Sequence, residues 1–420
     1  MASVQASAVL RTGRWLLPLT IPACCVVWMI LVFSPPTPEL DAGHRQSFHV
    51  SVGETVAAIE RRGTPPVPER VQESPPPAEL LARTKTPSSS PPPAPESEET
   101  IDTLWGFSND VRDALAEDLV GWLRSSPAWA AHGGRDHFLV GGRIAWDLRR
   151  EDGGEWGSRL LFLPEARNMT ALVLESGPWH VGDVGVPYPT YFHPSRAAEV
   201  ASWQRTLRRA RRPWLFAFVG ARRPGDGGGG GGTLRDSVID QCARSRRCGL
   251  LQCGRGRRRD CYAPGNVMRH LKSAAFCLQP PGDSYTRRSA FDAMLAGCVP
   301  VFFHPRSAYT QYRWHLPADH TRYSVFVPGD SVRNGTVRVE DVLRRFGRAQ
   351  VAAMREQVIR MIPGIVYRDP RAPSGEFRDA FDVAVDGLIR RVSRIKQGLP
   401  PGEEEDDDGS RHWDGYFDTR

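Results

Sequence analysis

Several patterns that would have fixed the class of this chain are missing from it. Its eight cysteines form no paired C-x-x-C knuckle, so the usual framework of a structural zinc site is excluded. The net charge of +7 looks like a nucleic-acid or membrane signal. The arginines are nevertheless scattered over the whole chain, with no aromatic-interleaved basic face, which argues against a nucleic-acid partner. From Ser34 to about Thr100 there is little apolar periodicity. Such a segment cannot offset its own ordering entropy, so residues 34–100 read as a disordered, partly polyproline stem.

What is present points to the secretory pathway. Trp15 to Phe33 is an uncharged apolar run preceded by Arg11 and Arg14, with no basic residue following closely. Its length suits a bilayer crossing, and the positive-inside rule places residues 1–14 in the cytosol and the rest in the lumen. The alternative is a cleaved signal peptide, since Pro18 and Pro22 weaken the helix and Ala23 is small enough for a cleavage site. Cys24 and Cys25 lie in this run, and six cysteines fall in the second half. An oxidising lumen predicts one or two disulfides among Cys242, Cys248, Cys253 and Cys261, in a connectivity the spacing leaves open. Cys277 and Cys298 read as buried small hydrophobes. Asn168 and Asn334 head N-x-T sequons usable in the lumen. The acidic tail, 399–420, holds Glu403 to Asp408 as a solvated run, with a bound metal as the less favoured reading.

The folded sequence begins near Ile101. Val111 to Leu123 is predicted as an amphipathic helix stopped by Pro127, with Val111, Leu115, Leu119 and Trp122 on its apolar side. Short strands are expected at HFLVGG, RLLFLPE and ALVLES, followed by the loop VPYPTYFHP and a helix from Ala197 to Arg208. Pro213 then opens a second unit with WLFAFVG, ending in Gly220 and followed by Arg222 and Arg223, a weak phosphate signal by itself. The glycine run after it reads as a flexible loop. Glu340 to Ile362 reads as one helix with a core side and a solvated side.

The most informative stretch is AFCLQPPGDSYTRRSAFDAMLAGCVPVFFHP. Ala275 to Leu278 reads as a buried strand, and Pro280, Pro281 and Gly282 end it. Thr286 can cap a helix carrying Ala290, Phe291, Met294 and Leu295 at helical spacing, and Gly297 closes it before the strand Val299 to Phe303. A strand, loop, helix, strand unit aims its loop and helix N-terminus at the carboxyl end of a parallel sheet, where ligands of open α/β folds bind. Arg287 and Arg288 oppose the helix dipole there unless an anion sits before them, so they read as diphosphate ligands. Arg288 and Asp292 stand at i and i+4, and a surface helix pair is the alternative.

This block, with AYTQYRWHLP, MREQVIRMIP and DAFDVAV after it and GRDHFLVGGRIAWD, LPEARNMT, PYPTYFHP and FAFVGARRP before it, resembles the exostosin-type glycosyltransferases of family 47. Within them it is most similar to the plant branch of KATAMARI- and MUR-type xyloglucan galactosyltransferases. The resemblance covers about Asp102 to Leu388. It implies an α/β protein of GT-B type with two facing Rossmann-like domains, here 101–212 on the acceptor side and 213–398 on the nucleotide-sugar side. It also implies a type II Golgi membrane protein that transfers a sugar with inversion, β-galactose from UDP-galactose being the expected donor group, to a wall polysaccharide such as xyloglucan. No cofactor and no essential metal are implied, and no D-x-D motif stands at a plausible strand end. Other wall glycosyltransferases are the expected partners of the alternative reading, a catalytically silent subunit.

The same resemblance suggests roles. Arg222, Arg223, Arg287 and Arg288 would hold the diphosphate, with Gly220 and Gly282 among the donor-binding residues, Ser284 and Thr286 donating hydrogen bonds, and Asp292 accepting from ribose hydroxyls. Asp136, His137 and Asp147 are the candidates for the base an inverting transfer needs, with structural polar roles as their alternative. One departure stands out: a Y-V-Y-D-L-P-like opening is absent, and the stem runs almost directly into DTLWGFSNDV. The first domain is therefore expected to be short, with an exposed edge and an incomplete acceptor cleft. A truncated gene, a divergent enzyme and a protein that has lost activity all fit that expectation.

Overall fold

Two parallel sheets organise the chain, and the site lies where their carboxyl ends approach. The computed structural model describes residues 108–399 except 178, 223–232, 254–260, 262 and 373–374. The expected cytosolic tail, membrane run, stem and acidic tail, and Arg223, lie outside the described residues. Among the described residues no helix is long and apolar enough to cross a membrane.

The first sheet contains β1 (Phe138–Val140), β2 (Thr170–Val173) and β3 (Asp183–Gly185), paired in that order and all parallel. The second contains β4 (Trp214–Ala221), β5 (Cys248–Cys253), β6 (Ala274–Gln279), β7 (Val299–Phe302) and β8 (Val325–Phe326), in the order β5-β4-β6-β7-β8. All four pairings are parallel. The strand order reverses between β4 and β6, and such a switch point opens a crevice at the carboxyl ends of the strands.

The helices of eight or more residues are α1 (Asn109–Ser125), α2 (Ala197–Arg209), α3 (Leu234–Arg244), α4 (Pro264–Lys272), α5 (Arg288–Leu295), α6 (Arg348–Ile365) and α7 (Ala380–Lys396). Helices α2 to α6 cover both faces of the second sheet, which explains why its strands read as continuous apolar runs. On one face Phe216, Phe218, Phe276, Leu278, Val299 and Val301 pack with Val238 and Ile239 of α3. On the other, Phe291, Met294 and Leu295 of α5 pack with Phe302, Leu207, and Val358 and Ile359 of α6. Pro363 lies inside α6 and cannot donate to the carbonyl of Ile359. The Gln204 side chain of α2 donates to that carbonyl instead, at 2.8 Å. The last helix crosses back to the first sheet, where Ala384 and Leu388 pack with Leu172 and Val186. A boundary near residue 212 therefore separates the sheets but not their covering helices.

Several local expectations need correction. RLLFLPE is not a strand: Leu160–Phe162 is a 3-10 turn and Pro164–Asn168 a short helix begun by its proline. The helix expected from Glu340 is broken, because Gly347 with extended backbone caps α6 after the short helix Val339–Leu343. On α1 the expected apolar side is exposed at Val111, Leu115 and Trp122, whereas Ala116, Val120 and Leu123 are buried. The cysteines pair as Cys242–Cys248, Cys253–Cys261 and Cys277–Cys298. The last pair corrects the reading of Cys277 and Cys298 as unbonded. β6 and β7 are neighbours, and Cys298, just before β7, has its Cα 5.8 Å from that of Cys277.

Candidate active site

The loop between β6 and α5 is held by an interaction only glycine permits. A Cβ on Gly282 would lie 1.4 Å from Nη2 of Arg287. The Gly282 amide also donates to the Ser284 carbonyl at 2.9 Å, closing the turn. Arg287, not Thr286, occupies the N-cap of α5, with extended backbone and no side-chain cap. Thr286 is instead buried beneath the helix, its hydroxyl 3.4 Å from that of Tyr312. Arg288 is the first helical residue, and no acidic side chain lies in that first turn. The helix N-terminus and two guanidinium groups thus share one point of the crevice.

From the first sheet, Glu175 reaches the same loop. It follows β2 by two residues, and its Oε1 accepts from the Ser284 hydroxyl at 2.7 Å and from the Tyr188 hydroxyl at 2.6 Å. Burial raises the Glu175 pKa, opposed by these two bonds and by the Arg287 charge. Both hydroxyl protons go to Oε1. Among the described residues Oε2 has no hydrogen bond and is not one of the buried unpartnered atoms. Further contacts fix the two halves in register: the Tyr312 hydroxyl donates to the Leu174 carbonyl at 2.8 Å, and the Ser176 amide donates to Oε1 of Gln311 at 2.8 Å. Gly185 is in close approach, since a Cβ there would lie 2.5 Å from the Gln311 carbonyl oxygen.

A third cation lies behind the loop. Arg306 is almost wholly buried, with its guanidinium 4.7 Å from the Tyr285 ring centroid and 5.3 Å from that of Trp179. Burial lowers its pKa, opposed by Tyr285 and Glu175. Tyr285 stacks on His304 at 4.3 Å, and burial together with Arg306 pushes the His304 pKa down to about 4. Within α5, Asp292 is buried and its pKa is pushed up to about 6 by desolvation, with Arg288 opposing. Its Oδ2 lies 3.7 Å from Nε of Arg288, and its Oδ1 is buried without a hydrogen bond. The Arg288 guanidinium stacks on Tyr191 at 3.8 Å. That pair is therefore not a free surface ion pair.

The remaining sequence candidates are placed less uniformly. Gly220 is the penultimate residue of β4, at the switch point, where a Cβ would meet Phe218 at 2.7 Å and the Arg235 guanidinium at 3.0 Å. Arg235 in turn donates to the Pro281 carbonyl at 3.2 Å, tying α3 to the loop between β6 and α5. Arg222 is held by two carboxylates of α3, Asp236 at 3.3 Å and Asp240. Asp147 accepts from the Trp156 indole at 2.7 Å and pairs with Arg143 at 3.6 Å. It is close enough to Glu175 to raise the latter's pKa. Asp136 and His137 bond each other at 2.9 Å just before β1, at the amino end of the first sheet. The strand itself separates them from the crevice. Asn168 is exposed and donates to the Gly133 carbonyl, while exposed Asn334 accepts from the amide and hydroxyl of its sequon partner Thr336.

Sequence reasoning missed Glu175, Tyr188, Arg306 and His304. The signal for Glu175 was an acid directly behind the apolar run ALVL, at a strand's carboxyl end. Among the described residues no group of three or more His, Cys, Asp and Glu side chains is placed to hold a metal ion.

Cations and a helix N-terminus stand on one side of a switch-point crevice and a buried acid on the other, an arrangement suited to an anionic ligand. Residues 97–343 match the Exostosin GT47 domain, more than half of the chain, and the chain belongs to that family. It is 50% identical over 306 residues to the xyloglucan galactosyltransferase MUR3 of Arabidopsis thaliana, covering 72% of this chain and 49% of that protein. It is 43% identical to the probable xyloglucan galactosyltransferase GT12 of the same plant, over 72% of this chain and 58% of the relative. The xyloglucan-specific galacturonosyltransferase 1, also from Arabidopsis thaliana, is 41% identical over 69% of this chain and 43% of its own length. The chain thus spans about half the length of the curated relatives it matches. Among solved structures, Arabidopsis thaliana UGT89C1 complexed with quercetin aligns over 72% of this chain and 83% of that one at 12% identity and a TM-score of 0.31, too low to carry the fold.

Proposed function

We propose that this protein is an inverting glycosyltransferase that moves galactose from UDP-galactose to xyloglucan, in the Golgi lumen and behind an N-terminal membrane anchor. The observation that carries the proposal is the contact of Glu175 with Ser284 beside Arg287, an acid from one sheet against the cationic loop of the other. The two sheets then act as the facing halves of a GT-B transferase. Glu175 Oε2 takes the proton of the acceptor hydroxyl as that oxygen attacks the anomeric carbon. The bond from that carbon to the diphosphate oxygen breaks, and UDP leaves with the electron pair. Arg287, Arg288 and the N-terminus of α5 stabilise the charge that develops on it. Tyr188 and Ser284 hold Oε1 and keep the carboxylate aimed. Asp292, with its unpartnered Oδ1, serves the ribose hydroxyls. The names of the relatives favour the enzyme over a silent partner subunit.

The test is a panel of UDP-sugars offered to the luminal portion of the chain with xyloglucan oligosaccharide and other wall acceptors. The expected result is consumption of UDP-galactose dependent on the xyloglucan acceptor. No turnover of any UDP-sugar with any acceptor would overturn the proposal, and turnover of another UDP-sugar would overturn its donor.

A further inference from the structure

At the opposite end of the second sheet lies a cleft that the transfer site does not use. It has a volume of about 470 Å³ and lies where α2 and α4 end beside the first residues of β4 and β6. β4 is eight residues long, so at ~3.3 Å rise per residue the cleft is separated from the donor loop by roughly 23 Å of strand. Arg205, Arg209, Arg211, Arg269 and Lys272 line it, and no acidic residue does. None of these five cations has a carboxylate partner among the described residues. By contrast, Arg208 on the neighbouring face of α2 is paired with Glu356 at 2.9 Å.

Cations in the last turn of a helix ordinarily complement its dipole. That accounts for Arg209, Arg269 and Lys272. It does not account for Arg205, a turn earlier in α2, or for Arg211, beyond the helix end. The positive field is strengthened from beneath by Arg212, which is half-buried and donates to the Ala296 carbonyl at 2.8 Å. Three hydroxyls complete the lining. Those of Thr206 and Ser273 donate to the Ser202 and Arg269 carbonyls of their own helices, which leaves their lone pairs to accept. Hydrogen-bond acceptors among cations without carboxylate partners suit a ligand that carries both hydroxyls and negative charge.

We infer that this cleft is a second binding site, for an acidic glycan whose uronate carboxylates meet the five cations and whose sugar hydroxyls meet Thr206 and Ser273. The surface does not suit a membrane, since it is concave and no large exposed apolar side chain lines it. It does not suit nucleic acid, since the adjacent Trp203 is covered by Phe192 on one side and approached by Lys272, with no ring offered for stacking. The site would keep the enzyme on a mixed wall matrix while its crevice works on a neutral chain.

The test is fluorescence anisotropy of a labelled short oligogalacturonide with the luminal portion of the chain, against neutral xyloglucan oligosaccharide, UDP and phosphatidylserine vesicles as competitors. The expected result is oligogalacturonide binding that weakens steeply with salt, with competition by unlabelled oligogalacturonide but not by the neutral oligosaccharide or UDP. The double variant Arg205→Gln, Lys272→Gln should weaken it about thirtyfold at an unchanged melting temperature, from the usual contribution of a basic side chain facing an anionic surface. The charge-reversing Arg205→Glu, Lys272→Glu should weaken it further. Transfer to xyloglucan oligosaccharide should stay within about twofold in both, because neither residue touches the crevice. Oligogalacturonide binding no tighter than neutral oligosaccharide, binding unaffected by either variant, or preferential capture by the vesicles or UDP would overturn the inference. Binding needs no transfer, so an inactive chain would count against the proposed function alone.

Discussion

Replacing Gly282 by alanine should separate chemistry from folding. The new methyl group would stand 1.4 Å from Nη2 and 1.8 Å from Cζ of Arg287, so the guanidinium must leave its place above the loop. What moves is the end of a flexible side chain, and the backbone at 282 has no left-handed φ for alanine to strain against. The cost in stability should stay within about 1 kcal/mol, a shift in Tm of only a few degrees. The displaced cation is one of the groups proposed to meet the leaving diphosphate and faces Glu175 as well. Removing one preorganised donor to a developing anion typically costs 10²–10³-fold in kcat, about 3–4 kcal/mol. Initial rates of UDP release with xyloglucan oligosaccharide, read beside thermal melts, measure both quantities. A variant that keeps its kcat within about threefold would refute the placement of Arg287 at the reacting diphosphate. A fall in Tm of more than about 10 °C would refute the claim that only a side chain moves.

Two other predictions concern stability. Unfolded, Asp292 ionises near its ordinary 3.8, but in the fold desolvation pushes it up to about 6. Between those values the unfolded chain gives up the proton and the folded chain keeps it, so stability falls as pH rises through the window and the loss is complete above it. Asp292→Asn should therefore melt higher than the parent near neutral pH, show no gain below the unfolded value, and bind UDP-galactose more weakly; equal gains at both pH values would contradict the desolvation argument. Replacing Cys277 and Cys298 by alanine removes a link across 21 residues. The chain-entropy account puts the loss at about 3 kcal/mol, to be read from the urea midpoint, and an unchanged midpoint would contradict it.

What could be read from the chain was what local chemistry decides. Pro280, Pro281 and Gly282 must end a strand, Ala290, Phe291, Met294 and Leu295 share one helical face, and Gly297 takes φ 62° at the helix end. Those signals sit within a few residues of each other, and they define the strand, the loop and the helix without any long-range contact. Glu175 was invisible for the opposite reason. Its meaning comes from Ser284, 109 residues away, and from a register between two sheets that no local pattern specifies. The Cys277–Cys298 bond depended in the same way on β6 and β7 becoming neighbours. Asp136 and His137 carried suitable chemistry in a suitable motif, but residues before a parallel strand face the amino end of its sheet, and direction along the strand outweighs residue type. The exposure of Leu115 and Trp122 shows the limit of periodicity too: it identifies the helix α1 but not which side the core will take.

The central claim is that Glu175 is the base that activates the acceptor. It is tested most directly by Glu175→Gln, which keeps the shape and the hydrogen-bonding reach of the side chain while removing the carboxylate. The measurement is kcat/KM for xyloglucan oligosaccharide with UDP-galactose across pH. The parent should lose activity as pH falls through a pKa above the ordinary carboxylate range, since burial raises that of Glu175. The variant should lose about 10²–10⁴-fold and show no such limb, with UDP binding intact. A variant of near-parent activity with the same acid limb would contradict the account.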